Sequence, residues 1–144
     1  EKYEINYMAK KKTQVRMHSY GRYTKWDKSD KNLPKLKQVT DVIPAIKDEE
    51  FGYILDFMKG KGKTIQYRIA HPPIKDVNGN DMPDFEGEYF VRTNNHQFFI
   101  GDSIWDPVDE KIGIWQITVW MDNEIIGDKK FNVVKATDEE QSKS

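Results

Sequence analysis

Hydrophobic and polar residues alternate over several short segments of this chain. In one of them Phe51, Tyr53, Leu55 and Phe57 share a face, and the alternation resumes at Ile65, after a Lys-Gly-Lys-Gly sequence. Successive side chains of a β-strand point to opposite faces, so a period of two predicts strands. No window shows a sustained helical period, and the chain is therefore predicted to be all-β.

The most regular pattern predicts a hairpin near the end of the chain. Residues 113–121 and 124–134 form its strands, and Asp122-Asn123 supplies the turn, because Asp and Asn tolerate left-handed backbone. On the first strand Trp120 belongs to the more polar face. The opposite face is predicted to lie in the core and carries Trp115, Ile117, Val119 and Met121.

Turn signals separate the other predicted strands. These strands are placed at residues 14–24, 36–44, 51–57, 65–71, 88–93 and 96–101. The first has an irregularity at Gly21, and Pro44 ends the second. We expect residues 51–71 to form a hairpin, and Asn94-Asn95 to be a two-residue turn.

The pattern as a whole predicts one domain. Seven or eight short strands, about ten residues apart, are typical of an immunoglobulin-like antiparallel β-sandwich. We place the sandwich at residues 14–135, after an extended N-terminal arm at 1–13. Residues 136–144 are predicted to be a disordered tail.

The stretch FMKGKGKTI at residues 57–65 resembles part of a phosphate-binding loop, because it contains Gly62-Lys63-Thr64. The first glycine of such a loop would fall at position 57, which is Phe57. A Cβ disfavours the positive φ that glycine tolerates there. A phosphate loop also leads into a helix, whereas a strand pattern follows Thr64. We therefore expect no nucleotide and no other cofactor.

Composition narrows the function classes. The chain has 144 residues, 33% charged and 37% hydrophobic, and no cysteine, which excludes disulfides, thiol catalysis and cysteine zinc sites. No run approaches the roughly 18 apolar residues of a membrane span, so no transmembrane segment is expected.

The charges are unevenly distributed along the chain. Residues 1–40 carry 11 Lys/Arg and 4 Asp/Glu, and the rest carries 12 and 20. The lysines of residues 25–37, near Trp26, could attract phosphates. Asp27 and Asp30 interrupt that run, and the pI of 6.4 is far below the value above about 9 that marks basic nucleic-acid-binding domains. A nucleic-acid partner is therefore not expected.

Six short motifs together resemble a known family. They are SYGRYT (19–24), VTDVIP (39–44), FG (51–52), HPP (71–73), GIWQITVW (113–120) and FNVV (131–134). In order and spacing they resemble the uncharacterised bacterial domain-of-unknown-function family 3859 over about residues 14–135. The resemblance implies a single immunoglobulin-like β-sandwich. It carries no known catalytic residues, so it implies no activity.

One loop groups oxygen ligands that calcium could use. These are the side chains of Asp76, Asn78, Asn80 and Asp81. An EF-hand would need glycine sixth and glutamate twelfth, but counting from Asp76 the glycine, Gly79, is fourth and Gly87 is twelfth. An Asn-Gly turn is the favoured interpretation, and a calcium loop of another kind is the alternative.

Tryptophans are the leading candidates for a binding site. Trp120 lies on the outer face of its strand, and Trp26 and Trp105 fall in polar loops. Aromatic faces stack on sugars or anchor protein interfaces. The alternative for each is burial under a neighbouring segment.

The functional hypothesis is a non-catalytic binding or interaction module. No serine lies in a nucleophile-elbow motif, and the loop carboxylates show no contrasting environments. A protein partner would be recognised through surface aromatics or an exposed sheet edge. The alternative is a carbohydrate- or calcium-binding domain. We expect a periplasmic or secreted location, because of the fold type and because the sequence starts with Glu1 and not with methionine.

Overall fold

The computed structural model describes residues 12–142, which form a two-sheet β-sandwich. Sheet A has the strand order β2-β1-β4-β7, and sheet B has the order β3-β9-β8-β5-β6. The strands are β1 Gln14–Tyr23, β2 Leu36–Gln38, β3 Val42–Pro44, β4 Glu50–Met58, β5 Thr64–Ala70, β6 Phe85–Phe90, β7 His96–Ser103, β8 Gly113–Met121 and β9 Glu124–Val134. A 3-10 helix, Val108–Lys111, precedes β8. The all-β prediction is confirmed.

The predicted final hairpin is confirmed in its turn and in its faces. β8 and β9 pair antiparallel, and Asp122 and Asn123 have φ of 53° and 66°. Trp115, Ile117 and Val119 are fully buried. The core face was therefore predicted correctly from the alternation alone.

Two predicted hairpins are wrong, because their strands belong to different sheets. β4 pairs with β1 and β7, whereas β5 pairs with β6 and β8. Residues 91–95, which include Asn94-Asn95, likewise carry the chain from sheet B to sheet A. A glycine-rich turn between two alternating strands is compatible with a hairpin or with a crossing between sheets. The two crossing loops are hydrogen-bonded to each other. The Gly62 N–H donates to the Val91 carbonyl, and the Val91 N–H donates to the Lys63 carbonyl, each at 2.8 Å.

The segment at residues 36–44, predicted as one strand, forms two. β2 pairs with β1 in sheet A, and β3 pairs with β9 in sheet B. The β3–β9 pairing is parallel, so the sandwich is not purely antiparallel. The irregularity predicted at Gly21 lies next to a register shift between Arg22 and Tyr23.

The core fills the space between the sheets with aromatic side chains. Phe51 packs edge-on against Trp115 and Phe131, with ring centroids 5.4 and 5.5 Å away. A second cluster lies on the outer face of sheet A, where Tyr23 and Phe99 pack with centroids 5.0 Å apart. β4 is therefore buried on both faces.

The described residues include little of the predicted N-terminal arm but most of the predicted C-terminal tail. Of the predicted arm at 1–13, all but residues 12 and 13 lies outside the described residues. In the segment predicted as a disordered tail, Ala136 is buried and helix α1 spans Asp138–Ser142.

Replacing Tyr53 with Phe should destabilise the fold, because one buried hydrogen bond joins the sheets through this residue. The fully buried Tyr53 hydroxyl donates to the Ile117 carbonyl at 2.8 Å. Leaving a buried acceptor without its donor costs about 1–3 kcal/mol. Urea unfolding of Tyr53→Phe should show that loss in the free energy of unfolding.

The matched control is Tyr20→Phe. Within residues 12–142 the Tyr20 ring contacts Lys129, whose Nζ lies 4.1 Å from the ring centroid, and that contact does not need the hydroxyl. Equal stabilities of the two variants would contradict a role for the Tyr53 bond in joining the sheets.

Candidate functional site

A cleft of about 1060 Å³ opens between the edges of the two sheets. Residues 95–102 of the chain line it without interruption, and they include most of β7. Successive side chains of a strand point to opposite faces. A cavity that touches every residue of such a run must follow the edge of the strand. The cleft is therefore a groove along β7.

The edge of β7 that faces the cleft carries unpaired backbone groups. The Ile100 carbonyl points at β4, since a Cβ built on Gly52 would lie 2.2 Å from its oxygen. The N–H and C=O of one residue point the same way, and the direction alternates along an antiparallel strand. Gln97, Phe99 and Gly101 therefore direct these groups into the cleft. Within residues 12–142 no strand pairs with β7 on that side.

This edge lacks the features that usually protect an edge strand. Proteins blunt edges with charges, proline, bulges or very short strands. β2 and β3 have three residues each, and β6 carries Glu86 and Glu88. β7 pairs with β4 without a register shift, and residues 97–101 contain neither a charge nor a proline. β7 is a regular strand with an open edge.

Aromatic residues form the inner wall of the cleft, between the sheets. Tyr89 of sheet B stacks on Phe98 of sheet A, with ring centroids 4.4 Å apart. The Tyr89 hydroxyl lies 2.5 Å from Nε2 of His96. Tyr67 and Phe85 continue this wall. The inner wall is therefore mostly apolar, and its polar groups include the Tyr89 hydroxyl and the His96 ring.

The loop between β1 and β2, residues 24–35, forms the outer wall. Trp26 packs edge-on against Phe99, with ring centroids 5.2 Å apart, and its Nε1 donates to the Asn32 carbonyl at 3.0 Å. Leu33 packs on the same cluster. These contacts hold the loop over the outer face of β7.

The structure brings two of the three predicted tryptophans together. Trp26 and Trp105 both line the cleft. Trp120 lies on the outer face of sheet B, half-buried, with the Arg68 guanidinium 5.2 Å from its ring centroid. Trp120 thus lies apart from the other two.

Trp105 is anchored by a buried lysine. The Lys111 ammonium lies 4.3 Å from the centroid of the Trp105 ring and donates to the Pro107 carbonyl at 3.1 Å. Lys111 is fully buried, and burial lowers its pKa although Glu110 is 3.7 Å away. One face of the indole is therefore already in contact with a cation.

Two carboxyl groups lie near one end of the cleft: the half-buried Asp102, which lines it, and the buried Glu50, which does not. Burial raises the pKa of Asp102 to about 6, and the Ser103 N–H donates to this carboxyl at 2.8 Å. Burial, together with the nearby charges of Asp102 and Glu49, raises the pKa of Glu50 to about 7. Glu50 accepts the Trp26 backbone N–H at 3.3 Å. No local sequence pattern indicates this pair, because it arises from packing between strands distant in sequence.

Two carboxylates of the loop considered for calcium, Asp76 and Asp81, are engaged in local contacts. Oδ1 of Asp76 accepts the backbone N–H groups of Asn78 and Asn80 at 2.8 and 2.9 Å. Asp81 pairs with Lys75 at 2.6 Å. Within the described part of the chain, no three His, Asp or Glu side chains are grouped as metal ligands would be. The structure shows the turn that was the favoured interpretation.

The Glu50→Gln variant should change the pH dependence of stability. A carboxyl whose pKa is higher in the folded than in the unfolded protein destabilises the fold as pH rises from the unfolded value through the folded value. For Glu50 this window runs from pH 4.5 to about 7. The variant should match the wild type near pH 4 and exceed its unfolding free energy at pH 8, on the order of 2 kcal/mol.

The control is Glu88→Gln, which removes one carboxylate at an exposed position of β6. Urea unfolding at pH 4 and pH 8 measures both variants. An equal gain for both at pH 8 would contradict the assignment of the effect to Glu50.

Two of three comparisons relate the chain to known proteins. The family described as Domain of unknown function (DUF3859) matches residues 11–133. A crystal structure of an immunoglobulin-like protein from Pseudomonas aeruginosa matches with a TM-score of 0.65 and 18% identity, covering 84% of this chain and 97% of that chain. No curated protein matches this chain. Among residues 12–142 no helix is long and apolar enough to cross a membrane. The chain belongs to the family described as Domain of unknown function (DUF3859), and its fold is immunoglobulin-like.

Proposed function

We propose that this protein is a non-catalytic interaction module that binds an extended polypeptide segment along the open edge of β7. The observation that carries the proposal is the cleft that follows residues 95–102. In β-strand addition a peptide joins a free sheet edge by backbone hydrogen bonds, and pockets for alternate side chains give specificity. The cleft supplies both elements.

The backbone groups of Gln97, Phe99 and Gly101 would provide the hydrogen bonds. Each such bond contributes roughly 0.5–1.5 kcal/mol net. The apolar wall around Tyr89 and Phe98 would receive those side chains of the segment that point between the sheets.

The shape of the cleft favours a single segment over a second copy of the whole domain. Residues 24–35 rise on the outer side of β7, and β6 lies on the inner side. Neighbouring strands lie about 4.8 Å apart, so a strand added to β7 would run between these walls. A second sandwich would bring its own walls into the same space.

A carbohydrate ligand is the second candidate, because Trp26 and Trp105 share the cleft. Sugars stack on open ring faces. Trp26 directs its ring against Phe99, and Lys111 occupies one face of Trp105. These contacts favour the polypeptide.

A periplasmic or secreted location is part of the proposal, supported by the immunoglobulin-like fold. Cell fractionation of the native host, followed by immunoblotting, tests it. Recovery with the cytoplasmic fraction alone would contradict it.

Gln97→Pro should weaken peptide binding by removing one edge N–H. Proline is tolerated at a free edge, so the variant should keep its pairing with β4. A random dodecapeptide library displayed on phage, selected on the immobilised wild-type protein, supplies the probe. Its best peptide should bind Gln97→Pro about five- to tenfold more weakly by calorimetry, the value of about one hydrogen bond.

Gln97→Ala is the matched control, because it removes the same side chain but keeps the N–H. It should bind the selected peptide as the wild type does, and melting curves check that both variants fold. Equal binding by the wild type and both variants would contradict strand addition. Binding on a glycan array that is lost in Trp26→Ala would support the carbohydrate alternative instead.

A further inference from the structure

The two walls of the cleft differ in charge, and this difference bears on what the occupant carries. Lys28 and Lys31 line the outer wall, are exposed, and have no ion pair within residues 12–142. Between them Asp30 accepts the Asp27 backbone N–H at 3.2 Å. Among residues 12–142 neither lysine has a carboxylate within ion-pair distance, although the charge of Lys28 acts on the Asp102 carboxyl and lowers its pKa against the larger effect of burial.

These lysines are carried by a loop with a defined conformation. The Asp27 carboxylate accepts the backbone N–H of Ser29 at 2.9 Å, and the backbone N–H of Asp30 donates to the Asp27 carbonyl at 2.9 Å. Trp26 anchors the start of the loop against Phe99. The positions of Lys28 and Lys31 relative to β7 are thus set by packing below them.

Apart from Asp30, the other charged groups of the cleft lie away from the outer wall. Glu86 and Glu88 alternate with the inward-facing Tyr89, so they lie on the outer face of sheet B. There they are opposite Arg68 and Gln66 on β5. Asp102 is at the end of the groove, and burial raises the pKa of its carboxyl to about 6.

An added strand would present its two faces to different surroundings. It extends sheet A, so side chains on the face of Phe99 lie beside the β1–β2 loop, and those on the face of Phe98 lie between the sheets. The side chains beside the loop would lie near Lys28 and Lys31, and the side chains between the sheets would contact the aromatic inner wall.

We propose that the cleft selects extended segments that alternate acidic and apolar side chains. The acidic side chains face Lys28 and Lys31, and the apolar ones enter the aromatic wall between the sheets. This inference rests on the proposed function and deepens it by naming the chemistry of the partner.

Three synthetic nonapeptides test the selection. They alternate valine with glutamate, lysine or serine and are capped at both ends. NMR titration of the full chain reads the affinity and locates binding by shifts of the Gln97, Phe99 and Gly101 amides. In about 50 mM salt the glutamate peptide should bind at least tenfold more tightly than the lysine peptide. The preference should shrink in 500 mM salt, because exposed charges are screened.

Charge reversal locates the source of the preference. Lys28→Glu/Lys31→Glu should lose or invert the preference for glutamate. Lys130→Glu/Lys135→Glu makes the same change of net charge at exposed positions that do not line the cleft, and it should keep the preference.

The outcomes separate the two proposals. Equal or stronger binding of the lysine or serine peptide, with shifts along β7, would overturn the acidic selection and leave strand addition in place. Loss of the preference in both charge-reversed proteins would also overturn it, since net charge would then be the cause. Binding of no peptide, or binding without shifts along β7, would overturn both proposals.

Discussion

Two packed sheets cannot share backbone hydrogen bonds, and this constraint governs the whole molecule. Facing sheets lie about 10 Å apart, roughly twice the distance between paired strands. Among residues 12–142 the chain crosses this gap five times, and the crossing from β6 to β7 leads from an edge strand of sheet B to an edge strand of sheet A. Within the described part of the chain no strand pairs with the outer side of β6 or β7, so the two strands face each other as sheet edges and the space between them is the cleft.

The surroundings of the cleft follow from that arrangement. Aromatic side chains on β6 and β7 remain partly exposed where the two edges face each other. Tyr89 and Phe98 stack on each other across the gap. On the outer side, Trp26 covers Phe99 and brings the β1–β2 loop with its lysines alongside β7. Lys111 holds Trp105 at the cleft. The same packing that completes the core thus shapes both walls of the groove.

Residues close in sequence could be predicted, and pairings between distant segments could not. The alternation from Trp115 to Met121 gave the core face, and Asp122-Asn123 gave the turn. The alternation around Lys63 predicted the strands but not their sheets, because period two reports burial and says nothing about pairing partners. Likewise Trp26 and Trp105 were candidates from composition and exposure alone. Their shared cleft, and the carboxyl groups of Glu50 and Asp102, depend on contacts between separate strands.

The central claim is that β7 has one paired edge and one open edge, and hydrogen exchange of the free protein tests it most directly. Residue-resolved exchange by NMR would compare the amides of Gln97, Phe99 and Gly101 with those of Phe98 and Ile100. The open edge predicts alternation, with fast exchange at the odd-numbered positions and slow exchange at the even-numbered ones, which donate to β4. Equal protection at all five amides would show that the edge is already paired or covered, and would contradict the account.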